Sequence, residues 1–489
     1  MNYDEKTVER IVEMVTRELQ KNGTQAPTAV VTATGAAAGS QRLQMPAYHG
    51  KGVYDDVNEA VEAAWRAQRE LMKLTLEDRK RITDSIKEHC GKYIEELAQM
   101  ELEETGMGNF NDKLTKMKAA LYMTPSIEKL QPEYEANDNG AAIYEFAPFG
   151  VIGSLTPSTN PPETVINNSM VMLAAGNTVV FSTHPNAYKS SARAVELVTE
   201  AIEMAGGPAN AIVSIADPTM DKTNVMMHHP KVTMLCATGG PGVVRSILSC
   251  GKKGIGAGAG NPPAFVDDTA DIEKAAKDIV NGASYDNNIP CIAEKAVVVV
   301  ASVADKLITN MTKNGAYLIR DRNVIKKLTE LCMPKEDSPN KKMIGKSPAY
   351  ILSQVGVKIP EETKVAIFEA PRDNMLVMNE QLMPILPVVR CQNTEEGIEI
   401  AADIEHGRRH TAICHSKNID VITRYAKCLQ CTIVVVNGPC FGGMGIGGVG
   451  HNALTIAGPT GEGLTNPKVF TRKRKIVLVG GLNIRAEVK

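Results

Sequence analysis

From about residue 55 onward, short apolar runs alternate with stretches of helical period, and this alternation most limits what the chain can fold into. Apolar runs at 151–155, 178–181, 211–215 and 232–237 are separated by helix-like stretches at 163–175, 187–205 and 219–228. Strands joined through a helix are expected to cross over and pair in parallel rather than fold back as hairpins. A second series begins at 264–266 and runs through 296–300, 365–369, 385–390, 411–415 and 432–437. Two α/β domains, each a parallel sheet covered by helices, are the simplest outcome. The upstream stretches 55–74 and 76–105 are also helical in period, and no internal repeat is visible. The chain has 489 residues, 43% of them apolar, which is enough to bury sizeable cores.

Several function classes are disfavoured. The 54 Lys and Arg against 56 Asp and Glu leave a formal charge of −2, without the basic excess of a nucleic-acid binder. Aromatic residues are only 4%, too few to suggest base-stacking platforms. No apolar run approaches the ~18 residues of a membrane span. The longest, 296–304, reads as a buried strand. The first residues are acidic and polar, unlike a secretory signal. Ten cysteines sit at irregular spacing, and the expectation is a reducing cytoplasm with free thiols.

The N-terminal segment stands apart. Val8, Ile11, Val12, Val15 and Leu19 recur at helical spacing over residues 4–20, with charged residues between them. Asn22 and Gly23 end this pattern, and residues 22–44 are then rich in Ala, Thr, Gly and Ser, a tether composition. An apolar stripe on a flexible tether suits docking into another protein's groove. A helix folded back on its own domain fits the pattern equally well.

Two glycine-rich stretches compete as anion sites. Gly445 to Gly450 matches GxGxxG, but no helical pattern follows, and a dinucleotide fingerprint needs strand, loop and helix in that order. Thr238-Gly239-Gly240-Pro241-Gly242 has the better context, because it follows the run 232–237 and precedes a helical 243–248. Free N–H groups at such a helix start attract phosphate, although an ordinary βα turn also favours Gly and Pro. Residues 222–266 contain no carboxylate but five cations, Lys222, Lys231, Arg245, Lys252 and Lys253, a balance that favours a polyanionic ligand.

Among the cysteines, Cys291 lies in the polar turn Asp286-Asn287-Asn288-Ile289-Pro290-Cys291, just before a strand. A loop cysteine beside amide donors is a candidate nucleophile, whereas mid-strand Cys236 and the helical Cys90 and Cys332 read as core. Cys428 and Cys431 form a lone CxxC without a second pair or nearby His, so no metal site is expected and packing is the simpler reading.

Six segments taken together resemble the CoA-acylating branch of the aldehyde dehydrogenase family, in particular the propionaldehyde and acetaldehyde enzymes of bacterial microcompartments. They are 156–161 (Thr-Pro-Ser-Thr-Asn-Pro), 237–242, 254–263, 287–295, 380–387 and 456–463, in the family's order. The resemblance spans about residues 46–480. It implies a Rossmann-like cofactor domain (46–130 and 148–258), an α/β catalytic domain (259–459) and a β oligomerisation arm (131–147 and 460–489). Residues 1–21 would be an encapsulation-like helix that meets microcompartment shell proteins, and 22–45 its linker. The cofactors implied are NAD, less so NADP, with coenzyme A as co-substrate. The assembly implied is a homodimer or homotetramer, in the cytoplasm and inside a microcompartment.

Residue by residue, the resemblance makes Cys291 the nucleophile that attacks the aldehyde, with its own N–H and the Asn160 amide holding the oxyanion. Asn160 directly precedes Pro161, whereas hydrolytic relatives have one residue between the two. Thr238, Gly239, Gly240 and Gly242 match the pyrophosphate loop, Glu380 the carboxylate at the nicotinamide ribose, and Ser182 and His184 the adenosine ribose. Ala257, Gly258, Thr159 and Ile292 fall at the substrate and CoA pocket. Hydrolytic members carry a general-base Glu where this chain has Ala257. Water would then lack help commonly worth ~10²–10⁴ in rate. A thiol, with a pKa near ~8.5, needs less activation, so acyl transfer to CoA is expected over hydrolysis. The rival readings are a hydrolytic dehydrogenase, a cysteine acyltransferase without redox chemistry and a silent shell-docking scaffold. His410 and the basic run 472–475 read as structural residue and solvated face before a base and a CoA phosphate clamp.

Overall fold

The computed structural model describes residues 49–481, so the amphipathic stretch 4–20 and the linker lie outside the described residues. Its first eight strands are β1 (Val53–Tyr54), β2 (Glu133–Asn137), β3 (Gly140–Pro148), β4 (Val151–Leu155), β5 (Thr178–Ser182), β6 (Ile212–Ile215), β7 (Val232–Thr238) and β8 (Lys253–Ala257). The next seven are β9 (Pro263–Val266), β10 (Ala296–Val300), β11 (Ala316–Ile319), β12 (Val365–Glu369), β13 (Ile385–Cys391), β14 (Thr411–His415) and β15 (Ile433–Val436). A short hairpin, β16 (Ile456–Ala457) and β17 (Gly463–Leu464), and the long β18 (Thr471–Val479) complete the set.

One sheet is six-stranded and parallel, in the order β1-β6-β5-β4-β7-β8. From β4 the chain winds outward through β5 and β6, then returns to place β7 on the other side. The winding direction therefore reverses between β4 and β7, and crevices form at the carboxyl ends of strands at such a switch point. The second sheet is seven-stranded and parallel, in the order β11-β12-β13-β10-β9-β14-β15. Both sheets follow from composition. Ala296 to Val300 is buried along its whole length, as a parallel strand covered on both faces must be. A third, antiparallel sheet, β18-β3-β2, leaves Ile476, Val477, Leu478 and Val479 exposed on its outer strand.

Three expectations change. The run 296–304 is not one strand. The strand stops at Val300 and the helix Ala301–Lys313 begins, because Ala304, Leu307, Ile308 and Met311 repeat at helical spacing and are buried. The stretch 76–105 is two helices, Leu76–Gly91 and Ile94–Thr105, broken at Lys92 and Tyr93. Strands β8 and β11 were not evident, since Lys253–Ala257 alternates glycine with single apolar residues and Ala316–Ile319 is only four residues long.

Candidate active site

The first sheet delivers its share of the site from the carboxyl ends of three adjacent strands. Ser182 ends β5 and His184 follows it, Thr159 and Asn160 follow β4, and Thr238 ends β7 with 239–242 after it. The second sheet delivers its share from the loops that enter its four central strands. Gly260 precedes β9, Cys291 precedes β10, Glu380 precedes β13 and His410 precedes β14. Residues far apart in sequence are thereby brought together.

The glycine turn leads into the helix Pro241–Ser249. Its cap residue Gly240 supplies no side-chain hydrogen bond, and the first turn carries no acidic residue. A Cβ at Gly240 or Gly242 would meet nothing within 4 Å, so the turn faces open space. The Gly239 N–H is spent on the Ala257 carbonyl at 3.0 Å, which ties the turn to the end of β8. A helix start with open, uncapped donors fits a dinucleotide pyrophosphate. The cation excess of 222–266 is smaller in space than in sequence: Lys231 pairs with Glu62, and Lys253 with Glu462 at 2.5 Å. Ser182 is buried, with its hydroxyl 2.7 Å from the Thr223 hydroxyl, and His184 is half-buried. The GxGxxG stretch follows the 3₁₀ turn Cys440–Met444 and leads into no helix.

Cys291 sits at a half-buried turn after a left-handed stretch. Asp286, Asn287 and Asn288 have φ of 47°, 52° and 65°, conformations that cost non-glycine residues energy and need support. Support is present at each residue. Asp286 accepts from the Asn109 N–H at 2.9 Å and pairs with Lys116 at 2.7 Å. The Asn287 amide donates to the Gly108 and Gly345 carbonyls, and the Asn288 amide to those of Ala283 and Glu294. Buried Lys295 then donates to the Asn288 carbonyl at 2.8 Å and the Asn288 side chain at 2.7 Å.

Cys291, Ile292 and Asn160 open into one cavity of about 40 Å³, walled chiefly by Phe441, Met444, Ile446, Leu454 and Ile456. Thr159, Ala257 and Gly258 do not line it. Burial pushes the Cys291 thiol up to about 12; the Glu380 charge adds to the rise, while Lys295 opposes it. The resting group in the ligand-free protein is therefore the thiol. Burial likewise draws Lys295 down to about 8. Glu380, raised by its own burial, accepts from the Gly260 N–H at 3.2 Å. Gly260 has no room for a side chain, since a Cβ there would lie 2.6 Å from the Cys291 carbonyl oxygen and 3.0 Å from the His410 ring.

The His410 ring thus faces the Cys291 backbone across Gly260. Its Nδ1 meets the Thr411 hydroxyl at 2.9 Å, and its Nε2 is buried without a partner. Burial, with Lys295 and Arg408 nearby, holds its pKa at about 3, so the ring is neutral. Nothing local in the chain singles it out, because its neighbours in space are distant in sequence. Lys116 also lines the cavity and was missed. One signal was available. Lys113 and Lys116 share a helical face with Met117 and Ala120, so two charges lie within an apolar stripe.

The cysteines divide more finely than expected. Cys90, Cys236, Cys332, Cys391, Cys414 and Cys440 are buried, but Cys250 and Cys431 are half-buried and Cys428 is exposed. No cluster able to hold a metal ion occurs among the described residues.

Comparison with known proteins agrees with this arrangement. The chain matches the aldehyde dehydrogenase family over residues 44–324 and 363–459. It is 44% identical to the CoA-propanoylating propanal dehydrogenase of Salmonella typhimurium over 452 residues, 91% of this chain and 97% of that one. It is 41% identical to the acetylating acetaldehyde dehydrogenase of the same organism, over 89% of this chain and 94% of that one. Among solved structures, the propionaldehyde dehydrogenase of Rhodopseudomonas palustris, crystallised with CoA and an acylated cysteine, superposes with a TM-score of 0.87 at 48% identity, covering 89% of this chain and 99% of that one. A propionaldehyde dehydrogenase from the fucose-utilisation microcompartment of Clostridium phytofermentans gives 0.87 at 45% identity, over 89% of this chain and all of that one. The family match over most of the chain, with relatives of this identity and coverage, shows that the chain belongs to the aldehyde dehydrogenase family.

Proposed function

We propose that the chain is a CoA-acylating aldehyde dehydrogenase that converts a short-chain aldehyde, NAD and CoA to acyl-CoA and NADH, with propionaldehyde the favoured substrate and acetaldehyde next. The observation that carries this reading is the single small apolar cavity shared by Cys291 and Asn160. After losing its proton, the Cys291 sulphur adds to the aldehyde carbon. The oxygen that becomes charged is stabilised by the Asn160 amide and the Cys291 N–H. The nicotinamide cofactor, held by the turn at 239–242 and by Glu380, supplies the hydride acceptor that leaves an acyl thioester on Cys291. The CoA thiolate then attacks the acyl carbon and the Cys291 thiolate departs.

Transfer to CoA is favoured over water by Ala257 at the general-base position and by the relatives, one of which is named as CoA-propanoylating while another was crystallised with CoA and an acylated cysteine. Glu380 is the carboxylate that the fold brings toward Cys291, and its Gly260 contact holds it in a binding role. The test is NADH formation from propionaldehyde and NAD with and without CoA. Turnover that requires CoA and yields acyl-CoA in 1:1 ratio with NADH is expected. Equal NADH without CoA, with free acid as product, would establish hydrolysis instead.

We infer further that the six- and seven-stranded sheets carry cofactor binding and catalysis respectively, and that β18 joins protomers into a dimer or tetramer. Residues 4–20 dock on microcompartment shell protein, a reading supported by the microcompartment origin of one relative. Deleting residues 1–21 should leave soluble turnover unchanged and abolish co-sedimentation with shells.

A further inference from the structure

Beneath the cavity lies a set of five ionisable side chains, all at most 6% exposed: Glu101, Lys113, Lys116, Glu163 and Asp286. Lys116 is its hub. The Lys116 ammonium lies 2.7 Å from Asp286, 3.3 Å from Glu163 and 3.4 Å from Glu101. The same nitrogen donates to the Asn160 Oδ1 at 3.0 Å and to the Thr159 carbonyl at 3.3 Å. An ammonium can only donate, so it fixes which end of the Asn160 amide it meets. Asn160 occupies the cap position of the helix Pro161–Ala174, yet its side chain makes no capping hydrogen bond. An asparagine there ordinarily caps the helix. Its Nδ2 makes one long contact, 3.3 Å to the Thr159 hydroxyl.

We propose that Lys116 is a positioning residue for the reaction, holding the Asn160 amide so that its Nδ2 donors, and not its oxygen, face the carbonyl oxygen that Cys291 attacks. Without Lys116 the amide is free to turn over. The oxygen would then face the developing negative charge, replacing a donor with a repelling acceptor. The anchoring Asp286 also belongs to the left-handed turn that carries Cys291, so one ammonium links the nucleophile's turn to the donor opposite it. Burying a lone ammonium is costly, and the surrounding carboxylates make its position tenable.

This inference rests on Asn160 acting as the oxyanion donor, so the experiment separates the two. Removing Lys116 alone would leave Lys113 as the one ammonium facing the carboxylates of this set, so Lys116→Gln is combined with Glu101→Gln to keep the buried charge balanced. Asn160→Ala, this balanced variant and their combination form a cycle read by kcat and by aldehyde KM. Asn160→Ala is expected to lower kcat by about 10²–10³-fold, the effect of losing one oxyanion donor. The balanced variant should lower kcat about 10- to 100-fold with aldehyde KM changed less than about 3-fold. In the Asn160→Ala background it should cost less than about 3-fold more, as expected when one residue acts through the other. An unchanged kcat in Asn160→Ala overturns the role of Asn160 itself. A large Asn160 effect with a fully additive or absent Lys116 effect overturns the present inference alone. Lys116→Arg keeps the charge inside the cluster while moving the donor from Oδ1, and the same cycle run with it decides the matter if the balanced variant does not fold.

Discussion

At the residue scale, the charges around Cys291 act in opposite directions, which makes them separable. Glu380 raises the Cys291 thiol and Lys295 lowers it. Glu380→Gln should therefore quicken alkylation of Cys291 by iodoacetamide at pH 8 in the ligand-free protein, since only the thiolate reacts. The same change should raise KM for NAD about 10-fold or more if the carboxylate holds the nicotinamide ribose as proposed. A variant that slowed alkylation would show that the Glu380 charge does not raise the Cys291 thiol. Cys291 itself was legible from sequence because its polar turn and its resemblance to the family agreed. His410 and Lys116 were not, since each is defined by what the fold packs against it.

At the scale of elements, the glycine-rich strand β8 works through close approach. The helix Pro241–Ser249 lies directly on β8, and a Cβ at Gly256 would stand 2.6 Å from a Val244 methyl carbon. Gly256→Val should push this helix, with the 239–242 turn at its start, off the sheet. Overpacking of this kind costs about 1–3 kcal/mol. A lower melting temperature and a raised KM for NAD, with Cys291 alkylation unchanged, are expected. An unaltered KM would mean that the turn does not hold the cofactor. The alternation of apolar runs disclosed most strands of both sheets. The short β11 and the glycine-rich β8 escaped because their pattern is weak and only pairing with neighbours makes them strands. Strand order was not legible, because the sequence does not say which side of β4 the chain returns to.

At the scale of the whole molecule, buried titratable groups set the pH range of stability. Burial holds His410 and His415 at about 3, below an unfolded value of ~6.5. The unfolded chain therefore takes up two protons below ~6.5 that the folded chain refuses until about 3. Glu163 and Glu294 behave in the opposite sense, raised by burial to about 8 and about 7. The folded chain holds their protons down to the unfolded value of ~4.3. Between pH ~4.5 and ~6.5 the two effects cancel, and a plateau in melting temperature is expected. Below ~4.5 both glutamates are protonated in either state, and the histidines alone remain. Stability then falls by about 1.4 kcal/mol per pH unit for each. Asp286, held below the usual carboxylate range despite burial by Lys116 and Lys113, adds to this acid loss. From pH 6.5 to 8 the glutamates lose their protons and stability falls again. Thermal melts from pH 3.5 to 8 test this, and Glu163→Gln should flatten the upper side. A monotonic rise from pH 4.5 to 8 would contradict it.

The sequence by itself determined that two parallel α/β sheets form, that Cys291 is the nucleophile to test, and that the turn at 238–242 is the better of two glycine stretches. These properties are local: periodicity, turn chemistry and motif order are written along the chain. Tertiary structure alone decided which charges surround the cysteine. The gap in carboxylates over 222–266 is real along the chain, yet Glu62, Glu462 and Glu380 approach that segment from elsewhere. Lys116, outwardly a solvated helix charge, became a buried hub because Glu101, Glu163 and Asp286 converge on it from three other segments. Electrostatic interaction depends on distance in space and on exclusion of water, and neither quantity exists until the chain has folded.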